Sequence, residues 1–397
     1  MTLRQKIEQE IRERGPIPFS RYMELCLYDP ELGYYSRNAE QFGKAGDFYT
    51  SSDVHAVFGR LVARQFEEMW RVLGSPEQIE ILELGPGRGL FAQDVLDWSE
   101  QKFPKFFRAL HYSLAESSPA LRERLQTTLY RHFNSGKASL PQRLKPQSDN
   151  GSFGPASVLR EVTVFDSASA LEVPVIVFAN EFFDALPVEV LSPQGELRIS
   201  EKDERLFETW HAAPAEELEF VDRYGVHPEA AERIEAPLIA QRYMSQIAAA
   251  VERGFIIAID YGYTRQEQLA GRHRGTIATY RQHSVSANPY EAPGEQDITA
   301  HVNFTALTAA AEHGGMQVRP LLTQSQFLMG IGEHNQFADV FEECLLPQER
   351  ATVALQLKHL VTPSGMGENF HVLVASKNVD PSKVAQLCGL NFGKSRS

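Results

Sequence analysis

The stretch IEILELGPGRG, residues 79–89, decides the fold that this sequence predicts. Its first six residues, IEILEL, have the apolar and β-branched composition of a buried strand. Glycine then occupies every second position of GPGRG, and glycines allow a tight turn whose backbone NH groups approach a ligand closely. A helical pattern follows from Leu90 to about Lys102. We therefore predict a strand, a glycine turn (residues 85–89) and a helix, with a ligand beyond the carboxyl end of the strand.

More strands alternate with helices on both sides of this unit. Ser118 is expected to open a helix, and the apolar runs predict strands at 111–116, 158–165, 173–179 and 255–260, with a closing strand at 369–375. Such alternation is typical of a parallel sheet with both faces covered. We expect an α/β fold with helices on both faces of the sheet.

Composition shifts along the chain predict its division into regions. We expect an N-terminal helical and loop extension with a lid over 1–75, a core over 76–187 and 251–377, an inserted small α+β region over 188–250, and a tail over 378–397. Within the core, residues 262–303 are rich in turn residues, His and Tyr. We expect them to form a long loop near the ligand.

Charge and cysteine content exclude several classes of partner. Of the 397 residues, 52 are acidic and 39 basic, which gives a net charge of -13 and favours no nucleic-acid partner. The three cysteines are far apart, which predicts a reducing compartment and no disulfide framework. No apolar run has the length of a membrane span, so no membrane insertion is expected. The acidic stretch Glu8–Glu10 is unlike a targeting peptide, and we expect a cytoplasmic protein.

The residues beside the glycine turn predict the kind of ligand. The spacing is GxGxG, because residue 90 is Leu, and no GxxxxGK[ST] occurs, which weakens the dinucleotide and P-loop interpretations. Glu83, before the turn, suits a cationic amino acid group, and Glu116, after the next strand, suits ribose hydroxyls. Two acids and three glycines favour S-adenosylmethionine over a diphosphate. A plain strand-to-helix turn with Glu83 on the surface is the alternative.

Asp166 follows the predicted strand 158–165, where contacts to an adenine ring are expected. An aspartate at this place equally suits the N-cap of a helix. Both interpretations stay open.

Carboxylates follow the fourth predicted strand, at the sheet edge that would face the methyl group. Glu181 and Asp184 suit a guanidinium, which carboxylates bind bidentately, and Phe182 and Phe183 suit its flat face. Alternatively, the two phenylalanines fill the core and Asp184 caps a turn. Asp260 ends the fifth predicted strand and is expected beside them.

Histidines of the predicted loop offer a base for an alcohol or amine nucleophile. His273, His283 and His301 lie in or beside residues 262–303, and solvated surface positions are the alternative for each. No HExxH motif or histidine pair with zinc spacing occurs, so no metal is expected.

Several separate segments, in this order along the chain, carry a family resemblance. They are PIPFSRYM (16–23), YDPELGYY (28–35), GDFYTS (46–51), ELGPGRG (83–89), NEFFDALPV (180–188), DYG (260–262), DITAHVNF (297–304) and MGENF (366–370). Together they resemble the MidA-like family, also known as the complex I assembly factor 7 family. The inserted region is the part in which little resemblance is found.

The resemblance implies a class I, Rossmann-like methyltransferase fold with S-adenosyl-L-methionine as cofactor. It implies that the three glycines hold the methionine part, that residues 46–51 belong to a loop closing over the cofactor, and that Asp260 is needed for activity. From residues and resemblance together, the expected cofactor-binding residues are Asp47, Thr50, Ser51, Glu83, Gly85, Gly87, Gly89, Glu116, Asp166 and Asn180. The expected catalytic residues are Glu181, Asp184 and Asp260.

The mitochondrial family member is a protein arginine methyltransferase, so the resemblance implies an enzyme that acts on arginine in a protein. A subunit of respiratory complex I is the implied protein partner. Two rival functions stay open, since a fold does not fix a substrate: a small-molecule methyltransferase and a cofactor-binding assembly factor without turnover. The oligomeric state, a homodimer included, also stays open.

Overall fold

The computed structural model describes residues 1–36, 56–141, 173–281, 284–286 and 288–393. Its strands are β1 (Ile17–Pro18), β2 (Ile79–Leu84), β3 (Leu110–Ala115), β4 (Ala138–Ser139), β5 (Val175–Asn180), β6 (Glu189–Ser192), β7 (Gly195–Lys202), β8 (Arg205–His211), β9 (Ile234–Ala236), β10 (Gly254–Tyr263), β11 (Ala278–Arg281), β12 (Ser284–Ser286), β13 (Asp297–Thr299), β14 (Val302–Asn303), β15 (Gln317–Val318), β16 (Leu322–Thr323) and β17 (Phe370–Lys377).

The helices of the same residues are α1 (Leu3–Arg14), α2 (Phe19–Tyr28), α3 (Val57–Val72), α4 (Leu90–Lys102), α5 (Pro104–Ala109), α6 (Pro119–Thr128), α7 (Tyr130–Asn134), α8 (Ala215–Tyr224), α9 (Leu238–Ala250), α10 (Arg265–Leu269), α11 (Phe304–His313), α12 (Gln324–Glu333), α13 (Ala338–Phe341), α14 (Pro347–Val361) and α15 (Pro381–Val384). Short 3-10 turns occur at Tyr34–Ser36 and Cys388–Leu390.

A central sheet with the strand order β15-β17-β10-β5-β2-β3-β4 organises the molecule. Its strands from β4 to β10 run parallel, and β17 is antiparallel to β10. The order of the strands along the chain reverses at β2, which lies between β3 and β5. Such a switch point is where open α/β sheets bind ligands, at the carboxyl ends of the strands. The predicted α/β fold is confirmed.

The elements around the glycine turn lie close to their predicted positions. Strand β2 and helix α4 have the predicted bounds, and β3, β5 and β10 nearly coincide with theirs. Ser118 caps α6, because its side chain accepts a hydrogen bond from the Leu121 backbone NH at 3.2 Å. The strand predicted at 158–165 lies outside the described residues.

Both faces of the central sheet are buried under helices. On β5, Phe178 packs into a cluster with side chains of α3 and α4, and its ring stacks on Phe91 at a centroid distance of 4.4 Å. Its neighbours Val177 and Ala179 pack into the opposite cluster, which contains side chains of α9 and α11. Successive residues of a strand point to opposite faces, so the fully apolar run of β5 is what a sheet covered on both sides requires.

The N-terminal extension packs on the inserted region. Strand β1 pairs antiparallel with β7, with Ile17 opposite Ile199, and β6, β8 and β9 complete this second sheet. Ile7, Tyr22 and Leu197 are buried together in a shared cluster. The two regions therefore pack together around a shared core, while the domain boundaries stay predictions.

The stretch 262–303, expected to be a long loop, contains regular structure. β10 runs on to Tyr263, α10 follows, and β11 pairs antiparallel with β12 and with β13. Thr279 is buried, and its hydroxyl donates to the Ser286 carbonyl at 2.8 Å. The loop prediction is wrong because the turn residues separate short strands: β11 pairs with β12 and β13, and β14 pairs with β10 of the central sheet.

Replacing Gly254 by alanine should destabilise the sheet. Gly254 has a φ of +147°, and a Cβ there would overlap the Val175 carbonyl oxygen where β10 begins to pair with β5. We expect the free energy of unfolding, measured by urea denaturation, to fall by roughly 2–3 kcal/mol. Gly74→Ala is the control, since Gly74 has a φ of +90° and no described atom within 4 Å of the place that a Cβ would occupy. It should lose about 1 kcal/mol from the backbone alone, and equal losses in the two variants would contradict the steric argument.

Candidate active site

The glycine turn joins β2 to α4 with a backbone that side chains do not tolerate. Gly85, Gly87 and Gly89 have φ values of +62°, +53° and +78°. A Cβ on Gly85 would lie 2.9 Å from the Phe182 ring, and one on Gly89 would lie 2.6 Å from a Leu125 methyl. Gly85 and Gly89 are therefore required by local geometry, Gly87 is favoured by its positive φ, and the turn closely contacts the segment that follows β5.

Glu83 is buried rather than on the surface, so the alternative of a surface acid before the turn is wrong. Its side chain accepts a hydrogen bond from the Tyr112 hydroxyl at 2.9 Å. Burial raises the pKa of Glu83 to about 8, and the charge of Glu116 adds to this effect. A carboxyl that is costly to ionise gains from a nearby cation, which fits a ligand with an ammonium group.

Glu116 follows the last residue of β3 and is half-buried at the same sheet edge. One of its carboxylate oxygens accepts a hydrogen bond from the Ser118 backbone NH at 2.8 Å. Arg122 donates to the Glu116 carbonyl at 3.0 Å, which fixes the backbone. A carboxylate held at this end of β3 suits the ribose hydroxyls of a nucleoside.

Asn180, the last residue of β5, offers a further contact at the same edge. Its amide nitrogen donates to Glu181 at 3.1 Å, whereas its buried carbonyl oxygen has no hydrogen-bond partner among the described residues. A buried unsatisfied acceptor is costly, and a donor from a ligand would satisfy it. The glycines, the two acids and this orphaned oxygen fit a bound S-adenosylmethionine.

Four carboxyl groups form an acidic corner beside these residues, namely Glu181, Asp184, Asp260 and Asp297. Burial raises the pKa of Asp184 well above its ordinary value, and the charges of the other three add to the effect. Glu181 has a φ of +51°, which is rare for a residue with a side chain and belongs to functional sites when the surroundings hold it. The structure thus brings the three expected catalytic residues together.

Asp260 lies at the centre of the corner and is fully buried. One of its oxygens accepts backbone hydrogen bonds from Phe182, Phe183 and Asp184 at 3.2, 2.9 and 3.3 Å. The other accepts from the Tyr261 NH at 2.9 Å. Burial raises the pKa of Asp260, while these NH groups oppose the shift. Asp260 therefore fixes the backbone of the segment that presents the other carboxylates.

Asp297 belongs to the matched segment 297–304, but the sequence did not mark it as a site residue. Its carboxylate accepts a hydrogen bond from the Tyr35 hydroxyl at 2.9 Å. Tyr28 donates to the Ala185 carbonyl at 2.9 Å, and Ser118 donates to the Tyr35 carbonyl at 2.5 Å. Residues 28–35 of the N-terminal extension thus contact both the acidic corner and the residues after β3. The signal in the sequence was the tyrosine content of residues 28–35.

Some predicted site residues cannot be placed. Asp47, Thr50, Ser51, Asp166 and His283 lie outside the described residues. Their roles stay predictions.

The two phenylalanines after Glu181 differ in their environment. Phe183 is buried in the core, with its ring 6.4 Å from that of Tyr243. Phe182 is half-buried between the glycine turn and Tyr243, with a ring distance of 5.2 Å to the tyrosine. The core-packing interpretation holds for Phe183, and Phe182 links the turn to the corner.

A group of histidines lies beside Tyr261. Nδ1 of His273 is 3.2 Å from Nδ1 of His301, whose ring stacks with Tyr261 at 6.3 Å. Burial lowers the pKa of His301 to about 4, and the neighbouring His273 and His371 lower it further. His301 is therefore neutral at physiological pH. His371, which the sequence did not indicate, belongs to this group.

Comparison with known proteins places the chain among methyltransferases. Residues 61–321 match the family model for S-adenosyl-L-methionine-dependent methyltransferases. The mitochondrial protein arginine methyltransferase NDUFAF7 homolog of Drosophila melanogaster is 29% identical over 394 residues, covering 94% of this chain and 84% of that protein. The mitochondrial protein arginine methyltransferase NDUFAF7 of Homo sapiens is 27% identical over 377 residues, covering 91% of this chain and 80% of that protein.

A solved structure agrees over the whole chain. A crystal structure from Burkholderia thailandensis, bound to S-adenosyl-homocysteine, has a TM-score of 0.78 and 26% sequence identity, and the match covers 100% of this chain and 95% of that one. The predicted class I methyltransferase fold and the predicted cofactor, S-adenosyl-L-methionine, are confirmed.

The predicted cytoplasmic location is contradicted, because these relatives are described as mitochondrial proteins. The acidic stretch on which that prediction rested belongs to α1, where Glu8 is buried in the fold. The acidic stretch is therefore part of a packed helix and is no indicator of the cellular compartment. Among the described helices, none has the length and apolar character needed to cross a bilayer.

The family model spans most of the central sheet, and the relatives extend the match to nearly the whole chain. The resemblance to the MidA-like family is therefore confirmed. The chain belongs to the family of S-adenosyl-L-methionine-dependent methyltransferases.

Proposed function

We propose that this methyltransferase transfers its methyl group to the guanidinium of an arginine in a protein. The observation that carries the proposal is the acidic corner, in which carboxyl groups from the segment after β5, from β10 and from β13 converge beside tyrosines. Tyr261 and Tyr280 both lie close enough to Asp184 to be affected by its charge. Carboxylates and aromatic rings together suit a flat cation. The names of the relatives, which are protein arginine methyltransferases, support the same substrate.

The chemistry requires the corner to bind and to deprotonate the guanidinium, whose pKa is above ~12. S-adenosyl-L-methionine supplies an electrophilic methyl group on a sulfonium. Glu181 and Asp184 would hold the guanidinium and direct one nitrogen toward the glycine turn, so that a nitrogen–carbon bond forms as the carbon–sulfur bond breaks. The raised pKa of Asp184 makes its carboxylate a better acceptor for the proton that leaves.

Asp260 would act as a positioning residue in this reaction. Its four backbone hydrogen bonds fix the segment that carries Glu181 and Asp184. The same bonds occupy both of its carboxylate oxygens. Preorganised geometry of this kind lowers the barrier, because the reacting groups need no rearrangement.

A finer proposal concerns the protein that is methylated. A subunit of respiratory complex I is the first target to test, a choice that rests on the family resemblance alone. Mass spectrometry of proteins that gain a methyl group when the enzyme is supplied would identify the target. A homodimer stays a prediction that light scattering tests.

Gly87→Val should abolish methyl transfer. A side chain at a φ of +53° distorts the glycine turn and blocks the approach of the cofactor. With radiolabelled S-adenosylmethionine and a mitochondrial extract, the wild type should label a protein band and this variant should not. Gly136→Val is the control. Gly136 also has a positive φ, +71°, but it follows the C-cap of α7 and is distant in sequence from the glycine turn. Label in a small molecule alone would favour the small-molecule rival, and equal protein label in both variants would refute the assignment.

Glu181→Gln should separate transfer from cofactor binding. The loss of one carboxylate should lower kcat/KM for an arginine-containing protein by about 100-fold. Calorimetry should show cofactor affinity within about threefold of the wild type, because the glycine turn is intact. Glu312→Gln, a charge change at an exposed residue of α11, should alter neither value. Cofactor binding without any turnover in the wild type would instead support an assembly factor that lacks catalysis.

A further inference from the structure

Three glutamates of the inserted region converge away from the acidic corner. Glu189 is the first residue of β6, Glu196 lies on β7, and Glu217 lies in the first turn of α8. Each offers a carboxylate oxygen within 4.8 Å of the other two. Glu196 and Glu217 are buried and Glu189 is half-buried.

The three carboxylates differ in how they are paired. Glu189 accepts hydrogen bonds from the hydroxyl and the backbone NH of Ser20, and Arg198 donates to Glu196 at 3.0 Å. Glu217, in contrast, is only 4% exposed, and its Oε2 is buried with no hydrogen-bond partner among the described residues. An unpaired buried carboxylate next to two others is costly, so a bound cation is expected to compensate it.

We propose that Glu189, Glu196 and Glu217 bind a hard divalent cation of the size of calcium. Three carboxylates without nitrogen or sulfur ligands are the donor set that such cations prefer. Two oxygens that bind one calcium ion at ~2.4 Å are at most ~4.8 Å apart, and the three carboxylates offer oxygens within that limit. Magnesium demands near-ideal octahedral geometry and keeps several waters, so a buried set of three carboxylates suits it less well.

Protons compete with the cation for these oxygens. Burial raises the pKa of Glu189 to about 7 and that of Glu217 to about 8. The charge of Glu196 adds to both shifts and that of Arg198 opposes both, while Glu216 adds to the shift of Glu217. Cation binding should therefore release protons.

The position of the cluster gives the cation a structural consequence. Ser20 belongs to α2, and Glu189 follows the segment 180–188 that carries the acidic corner. A bound ion would tie the inserted sheet to α8, next to the hydrogen bonds that join Glu189 to Ser20 of the N-terminal extension. This inference does not depend on the identity of the methylated substrate.

The test is calcium binding to the full chain after treatment with a chelator. Calorimetry with calcium chloride should give saturable binding with one site, and calcium should raise Tm by about 2–4 °C. Magnesium should have a smaller effect.

Two matched variants make the test specific. Glu217→Gln should abolish the calcium response without lowering the Tm of the calcium-free protein, since it removes an unpaired buried charge. Glu219→Gln, at an exposed residue of the same helix that pairs with Arg223, should respond like the wild type. Absence of calcium binding in the wild type, or an equal response in Glu217→Gln, would overturn the proposal and leave a cluster that shares protons only.

Discussion

The close contact between Gly85 and the Phe182 ring is the constraint on which the site depends. A Cβ at residue 85 would lie 2.9 Å from that ring, so the glycine turn and the segment after β5 pack without room for a side chain. Asp260 holds the other end of this contact through the backbone NH of Phe182. The glycine turn and the acidic corner, to which we assign the cofactor and the substrate, are thus packed directly together at the switch point of the sheet.

The N-terminal extension completes this unit from outside the sheet. Tyr28 and Tyr35 reach Ala185 and Asp297, and β1 adds a strand to the inserted region. The acidic corner combines residues after β5, on β10 and on β13, and the N-terminal extension contacts it as a fourth part of the chain that is distant in sequence.

The sequence predicted the parts of the structure that local patterns encode. The strand 79–84, the glycine turn and the helix Leu90–Lys102 follow from apolar runs and from glycines that need positive φ. The small sheet in 262–303 was missed, because its strands are short, polar and stabilised by pairing with each other. Asp297 was missed as a site residue because only long-range folding brings it to Tyr35, 262 residues away in sequence. The burial of Glu83 also depends on a neighbouring strand, which no local pattern reveals.

The most direct test of the central claim is calorimetric titration of Glu116→Gln with S-adenosyl-homocysteine. If the nucleoside binds at the carboxyl ends of β2 and β3, loss of this carboxylate should weaken binding by about 10- to 100-fold. Glu123→Gln, an exposed position on the adjacent helix α6, should bind like the wild type. Unchanged affinity in Glu116→Gln would contradict the account, because the cofactor would then lie elsewhere.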